Sequence, residues 1–277
     1  MMNRHTLVQQ IKEKGTYLCV GLDTDISKIP LHLQQQPKAV IAFNKAIIDA
    51  TKDYCVSYKI NTAFYESMGV KGWEAMEETV AYIPDTHFKI ADAKRGDIGN
   101  TSSHYAKAFF ETIPFDAITV APYMGEDSIR PFLEYENKWT IVLGLTSNKG
   151  AADFELLELK DNQQSNSRLY EKVMHTVAQW GSPQNLMFVV GATQASAFEN
   201  VRAMLPEHFF LVPGVGFQGG SLEEVSTYAM NKDIGLLVNA SRAIIYAGQK
   251  ENFAEEARVI AAQYQTEMQG YMNLLYK

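Results

Sequence analysis

Short apolar segments recur along the whole chain, and polar or amphipathic stretches separate them. Eight of these segments are largely continuous, rich in β-branched residues and bounded by Gly, Pro, Asp, Asn or Ser; they are residues 17–22, 55–60, 87–91, 117–121, 140–145, 186–190, 209–212 and 234–238. Short, continuous apolar segments are typical of parallel strands that are buried on both faces. The pattern therefore predicts eight parallel β-strands.

Between these segments, apolar residues recur with the spacing of amphipathic helices. The clearest examples are residues 39–50, 72–83, 102–110 and 253–275. Eight strands alternating with helices within roughly 250 residues is the expected pattern of a (β/α)8 barrel, the TIM-barrel architecture. An open, doubly wound sheet is the alternative architecture.

Nothing in the composition divides the chain, so residues 1–277 are predicted to form a single barrel domain. One segment interrupts the alternation, a long polar stretch at residues 148–168 after the fifth predicted strand. Long polar loops inside compact domains are usually lids or surface insertions. We expect either a lid over the site or a mobile surface loop here.

The charge and the residue usage exclude several classes of function. The chain has 25 Lys and Arg residues against 32 Asp and Glu residues, a formal net charge of −7. This charge argues against nucleic acid or an anionic membrane as the main partner. The N-terminal residues do not form a signal peptide, which predicts a cytoplasmic protein. The two cysteines and six histidines have no metal-ligand spacing, so no metal site is expected.

Charged residues are concentrated at the predicted carboxyl ends of the strands, where barrels of this kind place their reacting groups. Asp92 and Lys94 follow the third strand two residues apart and should share one face, with Asp97 close behind. Lys59 lies at the end of the neighbouring strand. A single Asp-x-Lys pair is more often an ordinary ion pair, but burying several charges together is costly without a function.

A glycine-rich segment, residues 213–220, follows the seventh predicted strand and formally matches the dinucleotide-binding spacing. Its place late in the chain argues against that interpretation. The loops after strands seven and eight form the usual phosphate site of such barrels, so Gly216 and Gly219 with Arg242 predict phosphate binding. A plain turn and a surface salt bridge are the alternatives. Ser147, after the fifth strand, could donate a hydrogen bond to a ligand ring or simply open the loop.

The sequence Asp-Ala-Lys-Arg-Gly-Asp-Ile at residues 92–98, followed by Thr101, resembles the signature of the orotidine 5′-phosphate decarboxylases, and of their longer bacterial branch in particular. The similarity extends to residues 21–23, Lys59, and residues 144–148, 213–220 and 241–242. The resemblance implies a (β/α)8 homodimer that converts orotidine 5′-phosphate to UMP and carbon dioxide without a metal or an organic cofactor. The sequence departs from the family pattern at Ser241, where glycine is common.

The resemblance also implies a role for each site residue. It assigns an alternating charged network to Lys59, Asp92, Lys94 and Asp97, with Asp97 and Thr101 reaching the active site of the partner subunit. It assigns ribose binding to Asp23 and Lys59, pyrimidine binding to Ser147, and phosphate binding to Gln218 and Arg242.

Decarboxylation of a ring carbon that has no electron sink leaves a localised carbanion. A fixed ammonium group could stabilise this charge and then supply the proton, which is the role expected of Lys94. Two alternatives remain open. One is a sugar-phosphate decarboxylase or synthase of the same barrel group, usually dependent on magnesium, and the other is a non-catalytic nucleotide-binding barrel.

Overall fold

The computed structural model describes residues 2–160, 167–193, 195–216 and 219–275, with residues 195 and 196 described by their backbone only. Eight strands form a closed barrel in the order β1-β10-β9-β8-β5-β4-β3-β2, and every pairing between neighbours is parallel. The barrel strands are β1 (Leu18–Gly21), β2 (Ser57–Asn61), β3 (Phe88–Arg95), β4 (Ala117–Val120), β5 (Trp139–Leu145), β8 (Leu186–Val190), β9 (Phe209–Pro213) and β10 (Leu236–Ala240). The predicted (β/α)8 architecture is confirmed, and closure of the sheet excludes the open, doubly wound alternative.

Helices connect the successive strands. They are α1 (Arg4–Lys14), α2 (Leu31–Gln34), α3 (Ala39–Thr51), α4 (Thr62–Glu66), α5 (Val70–Tyr82), α6 (Gly99–Lys107), α7 (Glu126–Leu133), α8 (Leu169–Val177), α9 (Ala195–Met204), α10 (Leu222–Ala229), α11 (Arg242–Ile245) and α12 (Phe253–Leu275). The four helices predicted from apolar spacing correspond to α3, α5, α6 and α12. The third predicted helix, residues 102–110, has two parts in the structure: α6 ends at Lys107, and a π-helical turn, Ala108–Thr112, follows it.

The strand bodies are apolar because both of their faces are covered. Every residue of β1, β4, β8 and β10 is buried, between the barrel interior and the surrounding helices. With no exposed face there is no alternation of polar and apolar residues, and this explains why continuous apolar segments identified the strands.

Three strands differ from the prediction by two residues or more at one or both ends. Strand β2 begins at Ser57, two residues later than expected. The last barrel strand begins at Leu236, two residues later than expected, because Ile234 and Gly235 both have a φ of 65° and Ile234 pairs with Asn231 in a tight turn. Strand β3 continues to Arg95, beyond the predicted end at Ala91. Its pairing with β4 shifts register between Ala91 and Arg95, so the charged motif occupies an irregular stretch of strand.

The polar segment at residues 148–168 lies outside the barrel sheet. It contains a 3₁₀ turn, Lys149–Asp153, and the short strands β6 (Glu158–Leu159) and β7 (Ser167–Arg168), which pair antiparallel. Residues 161–166, at the centre of the predicted lid, lie outside the described residues. The carboxylate of Glu155 holds the segment to the barrel, because it accepts hydrogen bonds from the amide and the hydroxyl of Thr146 at 2.7 and 2.8 Å.

Across the described ranges, no helix combines the length and the apolar character needed to span a membrane.

Candidate active site

The centre of the site is a buried lysine held between two carboxylates. Lys59 projects from β2, and its Nζ lies 3.3 Å from Asp23 Oδ1 and 3.0 Å from Asp92 Oδ2. Only 4% of the Lys59 side chain is exposed, against 18% for Asp23 and 12% for Asp92. The carboxyl ends of β1, β2 and β3 therefore bring together three charges that the sequence placed far apart.

Lys94 completes this group from the solvent side. Its Nζ lies 2.6 Å from Asp92 Oδ1, and 49% of its side chain is exposed. The prediction that Asp92 and Lys94 face the same way is confirmed, but regular strand alternation is not the whole reason. Lys94 has a φ of 48°, in the left-handed region, so a local distortion of β3 aims its side chain.

Thr119 on β4 supports both members of this pair. Its hydroxyl donates to Asp92 Oδ1 at 3.0 Å and accepts from the backbone amide of Lys94 at 2.9 Å. Thr119 is buried. One hydroxyl therefore fixes the carboxylate and the strained backbone beside it.

The neighbouring charges keep both Lys59 and Asp92 ionised. Burial alone would lower the pKa of Lys59, but the carboxylates of Asp23 and Asp92 raise it above its ordinary value. Burial alone would raise the pKa of Asp92, but the ammonium groups of Lys59 and Lys94 hold it well below its ordinary range. Lys59 and Asp92 therefore form a charged pair at neutral pH.

A cavity of about 160 Å³ opens at the carboxyl end of the barrel, beside the array of alternating charges formed by Asp23, Lys59, Asp92 and Lys94. Its described lining comprises Asp23, Lys59, Asn61, Asp92, Pro213, Gly214, Val215, Asn239, Ala240, Ser241, Arg242 and Ala243. A larger cleft of about 420 Å³ lies against α3 and α5, and none of the predicted site residues is among its described lining. The smaller cavity is the candidate site because the charged residues converge there.

The glycine-rich segment after β9 folds as a compact loop beside this cavity. Gly214, Gly216 and Gly219 have φ values of 97°, 75° and 89°, which favour glycine. The amides of Gly216, Gly219 and Gly220 donate to carbonyl groups within the loop, at 2.9, 2.8 and 3.1 Å. These three amides are therefore engaged in the loop itself in this structure. Gln218, predicted to bind phosphate, lies outside the described residues.

Arg242 is the first residue of α11 and lines the same cavity as Asp23, Lys59 and Asp92. The cavity thus has a further cationic group in addition to the array of alternating charges. An anionic group at Arg242 and hydroxyl groups at Asp23 and Lys59 would match the charges and the hydrogen-bonding groups available.

Six predicted residues of the described ranges are not in the described lining of this cavity: Lys94, Asp97, Thr101, Ser147, Gly216 and Gly219. Lys94 nevertheless contacts Asp92, which lines it, and Gly216 and Gly219 belong to the loop whose Gly214 and Val215 line it. The carboxylate of Asp97 accepts from the amide of Ile98 at 2.7 Å, and Thr101 is exposed on α6. Ser147 is half-buried, and its backbone packs closely against Gly191. Within the described residues of a single chain, the predicted site is therefore only partly assembled.

Sequence reasoning missed Thr119 and Asn239. Thr119 is a polar residue inside the fourth apolar segment, with no charged residue at the end of that segment to mark it. Asn239 lies on β10 in the lining of the cavity, and its Oδ1 is buried without a hydrogen-bond partner among the described residues. A polar residue within a continuous apolar strand was the available signal in both cases.

Comparison with known proteins gives a consistent result. A family model described as "Orotidine 5′-phosphate decarboxylase / HUMPS family" matches residues 16–257. The chain is 58% identical over 270 residues to an orotidine 5′-phosphate decarboxylase of Bacteroides fragilis, covering 96% of this chain and 97% of the relative. It is 57% identical to the Phocaeicola vulgatus enzyme of the same name, covering 98% and 99%.

A solved structure of the Leishmania donovani OMP decarboxylase superposes with a TM-score of 0.79 at 34% identity, covering 96% of this chain and 99% of that one. The closed barrel, the charged array and the nearly full-length match to relatives all agree with membership of this family. The chain therefore belongs to the orotidine 5′-phosphate decarboxylase / HUMPS family.

Proposed function

We propose that this protein decarboxylates orotidine 5′-phosphate to UMP and carbon dioxide, the last step of de novo pyrimidine nucleotide synthesis, without a metal or an organic cofactor. The observation that carries the proposal is the ammonium group of Lys94, 2.6 Å from a carboxylate of Asp92 that Lys59 also contacts. In a chain of this family, that array supplies the fixed positive charge and the proton donor that a decarboxylation without an electron sink requires.

In the proposed reaction, the bond between the pyrimidine ring carbon and the carboxylate carbon breaks, and carbon dioxide leaves. The electron pair remains on the ring carbon as a localised carbanion. The Lys94 ammonium stabilises this charge and transfers a proton to the carbon, and solvent then restores the proton of Lys94. Enzymes lower barriers by about 8–23 kcal/mol, and a carbanion of this kind requires the upper part of that range.

Asp92 has two roles in this scheme. Its hydrogen bond to Lys94 orients the proton donor, and its ionised carboxylate would repel the substrate carboxylate before the bond breaks. Because Asp92 is also held by Thr119 and Lys59, it cannot easily turn away from an approaching anion. Strain of this kind in the bound substrate is released when carbon dioxide departs.

The remaining residues would bind the rest of the nucleotide. Asp23 and Lys59 offer an acceptor and a donor for the ribose hydroxyls, and Arg242 offers a planar charged group for the phosphate. We assign Gln218, Gly216 and Gly219 to the same phosphate site and Ser147 to the pyrimidine. Binding of the distant phosphate would supply energy that is used at the ring.

We further propose that the single barrel domain acts as a cytoplasmic homodimer in which each subunit completes the other's site. The family resemblance assigns Asp97 and Thr101 to the partner's site; neither is in the described lining of the cavity of its own chain, and Thr101 is exposed on α6. Ile98, Tyr123 and Met124 are exposed apolar residues, and Ile98 directly follows Asp97; such side chains are suited to an interface between subunits.

The direct test is the loss of orotidine 5′-phosphate absorbance in the presence of EDTA. We expect turnover by the wild-type protein, and less than about one tenth of its rate for Lys94→Ala, because the proton donor is removed. Lys172→Ala, on the exposed side of α8, is the matched control. A rate for Lys94→Ala above one tenth of wild type would refute the proton-donor role.

Two further measurements, turnover of sugar phosphates with added magnesium and binding of UMP, separate the alternatives. Metal-dependent turnover of a pentulose or hexulose phosphate, with none of orotidine 5′-phosphate, would instead indicate a sugar-phosphate enzyme. UMP binding with no turnover of either substrate would indicate a non-catalytic barrel.

The shared site is tested by mixing inactive subunits. Asp97→Ala and Lys94→Ala subunits should together regain activity, because one site of each heterodimer retains both groups. With random exchange about a quarter of all sites would be intact. Formation of heterodimers without any recovery of activity would contradict a site shared across the interface.

A further inference from the structure

Arg242 is flanked by two side chains that both contact the segment carrying Asp23. Ser241 precedes it and Tyr246 follows α11, one turn later in the chain. The segment in question, residues 21–25, continues from the end of β1 and will be called the 21–25 segment. Asp23, proposed to bind the ribose, and Arg242, proposed to bind the phosphate, are thus linked through a few hydrogen bonds.

Ser241 makes the first link. Its Oγ donates to the carbonyl of Gly21 at 3.1 Å. The two backbone segments approach so closely that a Cβ built on Gly21 would lie 2.7 Å from the Cβ of Ser241. The start of α11 is therefore seated directly on the end of β1.

Tyr246 makes the second link, and it does so on both sides of Thr24. Its hydroxyl donates to the carbonyl of Asp23 at 3.1 Å and accepts from the amide of Asp25 at 2.8 Å. The ring of Tyr246 is half-buried and stacks on Phe43, with 6.2 Å between ring centroids. Burial raises the pKa of Tyr246 to about 12, so the hydroxyl keeps its proton at physiological pH.

Other contacts hold the 21–25 segment to the rest of the barrel. Tyr65 donates to the carbonyl of Leu22 at 2.9 Å, and Asn44 accepts from Thr24 at 2.6 Å. Loss of Tyr246 alone would therefore leave the segment attached to α3 and α4. What would be lost is the contact that fixes residues 23–25 relative to α11, while Ser241 would still hold Gly21.

We infer that Ser241 and Tyr246 are positioning residues that hold Asp23 and Arg242 at the separation required to bind the ribose and the phosphate of one nucleotide together. The inference rests on the proposed roles of Asp23 and Arg242. A site whose two ends are held in place need not order them on binding, so the affinity for a ligand that occupies both ends is increased. A ligand that occupies one end gains little.

The test compares UMP with uridine, which lacks the phosphate, by calorimetric titration of the intact protein. Tyr246→Phe should weaken UMP binding about tenfold, as loss of a well-placed hydroxyl can do, but uridine binding less than about twofold. Ser241→Ala should change the two affinities in the same direction by a smaller factor. Tyr135→Phe, which removes a hydroxyl contact with Glu111 next to the amino-terminal end of β5, is the matched control and should change neither affinity.

A second comparison separates positioning from general damage. In an Asp23→Asn background, Tyr246→Phe should have little further effect on UMP affinity, because the group it positions has already been altered. Equal weakening of UMP and uridine, or the same factor in both backgrounds, would overturn the inference while leaving the ribose role of Asp23 intact. An Asp23→Asn protein that binds UMP like wild type would refute that role and, with it, the inference.

Discussion

At the scale of single residues, the backbone of Lys94 is the most strained feature of the active site. A φ of 48° is uncommon for any residue other than glycine and costs about 1–3 kcal/mol when the surroundings enforce it. The surroundings here are Thr119 and Asp92, which hold the Lys94 amide and ammonium group respectively. The strain is thus located at the group proposed to deliver the proton.

This arrangement predicts a specific defect for Thr119→Val, which keeps the shape of the side chain but removes the hydroxyl. Asp92 and Lys94 would both lose a fixed contact, so we expect kcat to fall by about 10-fold to 100-fold with little change in KM. Steady-state assays on orotidine 5′-phosphate measure both constants. Thr119→Ser, which restores the hydroxyl, should recover most of the rate. A large change in KM, or no recovery with serine, would contradict the positioning role.

Strand ends in the sequence indicated that Lys59, Asp92 and Lys94 lie together, because Lys59 is on the strand that neighbours the one carrying Asp92 and Lys94. The two-residue period of a strand placed Asp92 and Lys94 on one face, but it did not predict the left-handed backbone at Lys94 or the position of Asp97 outside the cavity lining. Thr119 and Asn239 could not be selected in this way. Their importance depends on which side chain they meet across the barrel, and apolar periodicity does not contain that information.

At the scale of elements, the polar segment at residues 148–168 is joined to the end of β5. Glu155 is the anchor of this segment, through its two hydrogen bonds to Thr146 at the end of β5. If the segment covers the bound nucleotide, releasing it would add an ordering cost to binding.

We therefore expect Glu155→Ala to raise KM for orotidine 5′-phosphate by about 3-fold to 10-fold, with a smaller effect on kcat. Glu158→Ala, in the exposed strand β6, is the matched control because it changes the charge equally without releasing the anchor. Steady-state kinetics of the two variants provide the comparison. If both variants kept the wild-type KM, the segment would not be a lid.

The sequence predicted which strands exist more reliably than it predicted where each strand begins and ends. All eight barrel strands were predicted, because continuous apolar segments leave few alternatives for a chain of this length. The end of β3 and the start of β10 were misplaced where the backbone leaves regular geometry, at Lys94 and at Ile234. Backbone strain of this kind depends on tertiary contacts and leaves little trace in local composition.

At the scale of the whole molecule, a buried histidine makes the barrel sensitive to acid. His208 is buried next to the start of β9, and neither ring nitrogen has a hydrogen-bond partner among the described residues. Burial, followed by the charge of Arg202, lowers the pKa of His208 to about 4. The folded barrel therefore holds this side chain neutral.

Because the unfolded chain binds this proton near pH 6.5, the contribution of His208 to stability is complete above that pH and is lost as the pH falls toward 4. We expect the free energy of unfolding of the wild type to drop between pH 6 and pH 5 by up to about 1.4 kcal/mol more than that of His208→Leu. Urea denaturation at the two pH values measures the difference.

His5→Leu, at an exposed position of α1, is the matched control for this comparison and should behave like the wild type. His87, whose pKa burial and the charge of Lys14 also lower to about 4, should keep part of the acid sensitivity in all three proteins. Identical pH dependence in wild type and His208→Leu would show that His208 does not contribute.

The close contact between Gly21 and Ser241 also restricts how this barrel can change over evolutionary time. A methyl group at position 21 would fall 2.7 Å from the Cβ of Ser241, which is too close for both side chains to coexist. Exchanging serine for glycine at position 241 would remove the nearest obstacle and leave Asn239 Oδ1, at 3.1 Å, as the remaining close contact, so the order of the two substitutions would matter. Lineages that retain the serine are committed to glycine opposite it, so two positions some 220 residues apart in the chain should vary as a linked pair.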